Sequence, residues 1–107
     1  EMKFDTEDHK IGMVRARTQW CHLDRYEKNL KPRSGVFIFA DKTHDVKYVG
    51  KAAKRGMLNA IQAAKAKDKD YWATRVKALY TYDNESAKEL RTQLKTKYRP
   101  LNNEKGV

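Results

Sequence analysis

Cysteine, proline and glycine are all scarce here: one, two and five in 107 residues. The single cysteine, Cys21, excludes an intramolecular disulfide and gives only a slight preference for a reducing compartment. Long hydrophobic runs are missing too. No segment approaches the ~20 apolar residues that span a bilayer. Glu1 to Lys10 is polar and lacks the apolar stretch of a secretory signal, so an intracellular location (cytoplasm, nucleoid or nucleus) is expected. The histidines, His9, His22 and His44, are scattered. Cys21-His22 has no second pair to complete a zinc set, and Cys21 has no evident base to make it a nucleophile. No internal repeat or low-complexity block is visible.

Acidic residues are missing where basic ones gather. The chain has 24 basic and 14 acidic residues, a net charge of +10. Between Val46 and Lys67 there are six basic residues and no acid, and Lys88 to Arg99 holds five more against Glu89 alone. Such stretches attract polyanions, because neutralising phosphates releases condensed counterions. Nucleic acid is therefore the expected partner, with DNA placed ahead of RNA. A generally basic, solvated surface is the plainer alternative. No basic amphipathic helix with bulky apolar anchors appears, so a membrane is not an expected partner.

The order of elements follows from hydrophobic spacing and breakers. Met13, Val14, Trp20, Leu23, Tyr26 and Leu30 fall loosely at three-to-four spacing and predict a helix over 13–30, ended by Pro32. Val36 to Ala40 reads as a strand apolar on both faces, and Val46 to Val49 as its hairpin partner after a polar turn. A helix from near Lys54 or Gly56 to Ala66 follows, with Leu58, Ile61 and Ala64 on its apolar face. In the third strand, about Arg75 to Tyr82, Val76, Ala78, Tyr80 and Tyr82 alternate with Lys77, Leu79 and Thr81. Asp83 or Asn84 caps a last helix from about Glu85 to Lys97, stopped by Pro100.

Two half-signatures and a closing string carry a family resemblance. The first strand begins Gly35-Val36-Phe37, and the second ends Tyr48-Val49-Gly50 with Lys51 next. The chain closes with Tyr98-Arg99-Pro100-Leu101-Asn102-Asn103. With the element order from Gly35 to Asn103, this resembles the GIY-YIG nuclease superfamily, and the gap from Gly35 to Tyr48 looks like that of its excision-repair members. The resemblance implies phosphodiester hydrolysis with one divalent ion, Mg²⁺ or Mn²⁺. By position it implies that Tyr48 lies near the attacking water. A phenol of ordinary pKa ~10 needs a nearby cation to serve as a base there. Lys51 matches the cation after the glycine, which lowers that pKa or holds a phosphate. Arg55 matches the helix arginine that grips the scissile phosphate, provided the preceding loop is shortened; the ungapped position is Leu58. Asn59 would then lie one turn further along the same helix face.

Two departures accompany the resemblance. Phe37 lacks the hydroxyl of the first half-signature's tyrosine. The single metal-binding glutamate, counted back from Asn103, falls on Arg91, which offers no oxygen donor. Glu89 lies ~200° around the helix from that position and reaches it only through a two-residue register shift. Lys47, Lys54, Asn59, Lys65, Arg91, Lys95 and Asn103 are the expected nucleic-acid contacts. Each residue also has a plainer reading: Tyr48 as a core strand aromatic, Lys51 as a solvated lysine, Arg55 as one more phosphate contact. Trp20, Tyr26, Tyr71 and Trp72 read as base-stacking or as packing residues.

The expected architecture is thus an α+β domain. Residues 1–33 form a partly helical N-terminal extension, 34–103 a GIY-YIG-like domain with a three-stranded, mainly antiparallel sheet flanked by helices, and 104–107 a polar tail. The expected function is nucleic-acid binding with degraded catalysis. An active endonuclease using Tyr48, Lys51 and Arg55, with Mg²⁺ or Mn²⁺ on Glu89, stays open, as does a basic protein-interaction module.

Overall fold

The computed structural model describes residues 2–104. Glu1 and the last three residues of the expected polar tail lie outside the described residues; its one described residue, Glu104, ends a short helix, Leu101–Glu104.

All six residues of one strand, Gly35–Ala40, are buried, as an apolar run on both faces requires. It occupies the centre of an open antiparallel sheet. In chain order the strands are β1 (Val14–Arg17), β2 (Cys21–His22), β3 (Gly35–Ala40), β4 (Val46–Ala52) and β5 (Arg75–Thr81). Along the sheet they run β1-β5-β3-β4, with β2 also paired to β5 beside β1. β4 and β5 both run antiparallel to β3, so the connection between them passes over β3. That connection contains helix α1 (Met57–Ala66); α2 (Asn84–Tyr98) and α3 (Leu101–Glu104) follow β5. The fold is α+β. Its sheet has five strands, two more than the sequence predicts. No helix among the described residues is long and apolar enough to cross a membrane.

The alternation of β3 and β5 sorts the core into two halves. Phe37, Phe39, Val76, Ala78 and Tyr80 face α1, packing with Met57 and Ile61. Val36, Ile38, Val49 and Leu79 face α2, packing with Leu90, Leu94 and Tyr98. Asp83 caps α2 by accepting a hydrogen bond from the Ser86 N–H at 2.7 Å, the role short polar side chains fill at a helix start.

The predicted helix over 13–30 does not form. Val14-Arg15-Ala16-Arg17 instead alternates half-buried and exposed residues along the outer edge of β5. The apolar spacing that suggested a helix serves two different surfaces. Met13, Val14 and Trp20 pack into the α2-side core, while Leu23, Tyr26 and Leu30 pack into the α1-side core. The segment therefore wraps the sheet edge, and 3-10 turns at Thr6–Lys10 and Tyr26–Lys28 are its only helical parts. Its first turn is clamped to the end of α2. Lys97 Nζ lies 2.7 Å from Asp8 Oδ1 and 2.9 Å from Asp5 Oδ2, while the Tyr98 hydroxyl donates to Asp8 and accepts from the Asp5 N–H.

Two glycines carry the close approaches in the sheet. Gly35 has a φ of +156°, and a Cβ there would lie 2.3 Å from the Leu79 carbonyl oxygen of β5. Gly50, paired with Phe37, lies under its ring; a Cβ there would meet Phe37 Cζ at 2.2 Å. We expect Gly50→Ala to cost about 2–3 kcal/mol through overpacking. Phe37→Leu should recover part of that loss, so that a denaturant double-mutant cycle shows favourable coupling; strict additivity would mean the ring is not the obstacle.

Lys77 is the buried cation of β5, only 3% exposed. Its Nζ lies 2.9 Å from His9 Nε2 and over the rings of Phe4 and Trp20. Burial, reinforced by the Arg17 charge, lowers its pKa from 10.5 to about 8. Between those values the folded state holds fewer protons than the unfolded chain, so stability rises with pH across this window. The cost of the buried charge is fully present below pH 8. Lys77→Met should therefore raise Tm at pH 7 by roughly 4–8 °C, about 1 kcal/mol for a domain this size, and the gain should fade as pH approaches 10.5. Thermal unfolding across pH 7 to 10.5 measures it.

Candidate nucleic-acid interface

The strings that carry the resemblance meet at β4. Phe37 is paired with Gly50, and between Tyr48 and Gly50 the backbone of Val49 is held by Asn103. The Val49 N–H donates to Asn103 Oδ1 at 2.7 Å, and Asn103 Nδ2 donates to the Val49 carbonyl at 2.9 Å. The carboxamide thus closes the free edge of the sheet as another strand would. Asn103 is engaged in this structural role rather than presented outward. Its neighbour Asn102, fully buried, donates to the carbonyls of Lys69 and Tyr71 and fixes the loop after α1.

Tyr48 is half-buried at this edge, with its ring 6.0 Å from that of Phe37 and 5.7 Å from that of Phe39. Burial raises its phenol pKa above the ordinary value, and the positive charge of Arg91 only partly opposes the rise. Such a phenol is protonated at neutral pH, the wrong state for a general base. Arg91 itself is half-buried on α2, and its Nε is a buried donor with no hydrogen-bond partner.

Glu89 does not join this pair. The side of α2 against the sheet is Ala87, Leu90, Leu94 and Tyr98. Glu89 lies in an exposed depression on the helix with Glu85, Lys88, Thr92 and Gln93. Among the described residues no group of three or more His, Cys, Asp or Glu could hold a metal ion. Neither the Arg91 guanidinium nor a protonated Tyr48 phenol offers the anionic oxygen that Mg²⁺ or Mn²⁺ takes.

The other expected contacts separate. Tyr48 and Lys51 are three residues apart on one strand and so point to opposite faces; Lys51 is exposed and paired with Val36, on the α2 side. Arg55 is exposed in the turn before α1, which starts at Met57, so it does not share a helix face with Asn59. Asn59 is exposed on α1. Lys47 is the extra residue of a β-bulge, buried to 7% exposure, with its Nζ 3.8 Å from Asp41. Lys65 donates to the Leu23 carbonyl at 2.9 Å and lies over the Tyr26 ring, tying the N-terminal segment to α1. Lys95, half-buried one turn beyond Arg91, borders a depression with Thr96, Arg99 and Glu104. Neither Lys47 nor Lys65 is presented as a free cation to a phosphate.

Lys54 and Arg55 instead border a cleft of about 460 Å³ together with Arg15, Lys31 and Arg33. Sequence reasoning passed over these last three. The alternation Val14-Arg15-Ala16-Arg17 was the available signal, since it marks a strand with both arginines exposed.

Comparison with known proteins finds no matching family model, no matching curated protein and no matching solved structure.

The orphaned Arg91 Nε gives a prediction with two signs. A buried donor without an acceptor costs about 1–3 kcal/mol. Arg91→Leu should raise stability by about 1 kcal/mol in urea, while moving the Tyr48 phenol titration, followed by ultraviolet absorbance, to still higher pH. An unchanged Tyr48 titration would show that the two groups do not interact.

Proposed function

We propose that this chain is a nucleic-acid-binding module on a GIY-YIG-like scaffold whose hydrolytic chemistry is degraded. The observation that carries the reading is Arg91, half-buried on α2 at the position where the resemblance expects the metal-binding glutamate, its charge partly opposing the raised pKa of Tyr48. Where the resemblance calls for a carboxylate and an ion, the side chain present is a cation whose Nε has no partner. A guanidinium fork suits phosphate oxygens rather than a metal ion. The meeting of Phe37, Gly50 and Asn103 around Val49 supports the scaffold, because it gives the residues of the separate strings one shared structural purpose. The net charge of +10 supports the partner.

Without a metal to neutralise the developing charge on phosphorus, and with Tyr48 protonated, hydrolysis loses both its electrostatic and its basic assistance. Supercoiled plasmid and structured RNA, each incubated with the protein in Mg²⁺, Mn²⁺ or EDTA, provide the test. The expected outcome is mobility shifts that weaken as salt rises, with no cleavage under any condition. Metal-dependent nicking that Tyr48→Phe abolishes would reverse the conclusion and return the chain to the active endonucleases.

A further inference from the structure

Two clefts lie side by side on the surface built by the N-terminal segment. The first, about 750 Å³, runs along β1 and β2 and includes Arg17, Arg25 and Lys28. The second, about 460 Å³, includes Arg15, Lys54 and Arg55. Lys31 and Arg33 border both, so the two adjoin. No aspartate or glutamate borders either one. The chain has eight arginines and sixteen lysines. Five of the arginines but only three of the lysines border these clefts, so the surface is selectively guanidinium-rich.

These cations are not neutralised from within. Among the described residues Arg15, Arg17, Lys31, Lys54 and Arg55 make no ion pair, and Arg25 has only a 3.9 Å approach to the adjacent Asp24. Four aspartates elsewhere are engaged: Asp5 and Asp8 on Lys97, Asp41 on Lys47, Asp45 on Lys3. Gathering like charges on one face opposes folding, and a bound polyanion offsets it.

The surface is also held in shape. The Lys31 N–H donates to the Tyr80 hydroxyl at 2.7 Å, and the Arg33 guanidinium lies 5.8 Å from the centre of the same ring. The Thr81 N–H donates to the Ser34 carbonyl at 3.1 Å, closing the loop onto β5. The Lys54 N–H donates to Asn84 Oδ1 at 2.7 Å, which fixes the second wall. Tyr82, 66% exposed, stands at the border of the second cleft as an aromatic face open to a base.

We propose that these two adjoining arginine-rich clefts form the track for a nucleic-acid phosphate backbone, with Tyr82 stacking on a base beside it. The proposal rests on the nucleic-acid-binding reading above and moves the main contact surface from the β4 edge to the N-terminal segment. Arginine suits phosphodiester oxygens because its planar fork binds them in pairs. An acidic protein would offer carboxylates, but gives Tyr82 no base to cover.

The test measures binding of fluorescent single-stranded and duplex 20-mers by anisotropy from 50 to 400 mM NaCl. The variants are Arg15→Gln/Lys31→Gln/Arg33→Gln, and Arg17→Gln/Lys28→Gln in case the Arg33 change unsettles Tyr80. Lys42→Gln/Lys67→Gln/Lys88→Gln is the control for charge alone. Each lost phosphate contact flattens the log–log salt slope by about 0.9 for duplex and about 0.7 for single strand. The triple variant should therefore flatten it by roughly 2–3 and the double by roughly 1–2, with little change in the control. The strand form that shows the larger change identifies the ligand. Tyr82→Ala should weaken single-strand binding without altering the slope.

Equal flattening in variants and control would overturn the track in favour of diffuse charge. Full wild-type binding in both cleft variants would overturn it while leaving the nucleic-acid reading standing. Displacement of the oligonucleotide by poly-glutamate as readily as by unlabelled oligonucleotide would make an acidic protein the partner. No binding of either 20-mer by the wild type would remove both readings.

Discussion

Every residue of β3 is buried, so neither of its faces can meet water, and the rest of the chain is arranged to cover it. α1 covers Phe37 and Phe39, and α2 covers Val36 and Ile38. The covering also sets what the close neighbours can be. Where β5 passes Gly35 and where the Phe37 ring lies on Gly50 there is no room for a Cβ, so the two half-signature glycines are packing requirements of this strand. Asn103 completes the arrangement by pairing with Val49 on the far side of β4. The placement of Tyr48 and Arg91 is a consequence of that packing: β4 ends the sheet at Tyr48, and α2 must lie close to the sheet to reach the buried side chains.

The same covering divides the cations into two populations. Lys47, Lys65, Lys77 and Lys97 serve the fold through a bulge pair, a carbonyl clamp, an aromatic enclosure and a carboxylate clamp. Lys77 is tolerated at the cost of a depressed pKa, because the aromatic faces of Phe4 and Trp20 replace only part of its hydration. Asp41 goes with Lys47, and Asp5 and Asp8 with Lys97. On the opposite edge of the sheet from β4, Arg15 and Arg17 make no ion pair among the described residues and Arg25 has only its approach to Asp24, so cations gather there without neutralising partners.

Much of the core was legible in the chain. The three central strands, α1 and α2 lie within a few residues of their predicted bounds, because runs that bury one or two whole faces leave a clear period. The N-terminal segment was misread for the same reason. Its apolar residues have no single face: Met13 and Trp20 serve one core, Leu23 and Leu30 the other, and the mixture imitates helical spacing. The divergence of Glu89 from Arg91 followed from counting around a helix, since that is local geometry. The expected grouping of Tyr48, Lys51 and Arg55 did not, since it needed Lys51 to cross the sheet and Arg55 to lie within α1.

By itself, then, the sequence determined the central hairpin, the two long helices, the excess of positive charge and the arginine at position 91. Only the tertiary structure decided which of the 24 basic side chains face solvent together. Composition counts a lysine the same whether it lies at position 31 or 77. Burial and pairing depend on what the distant parts of the chain bring alongside, and local order along the chain does not specify that.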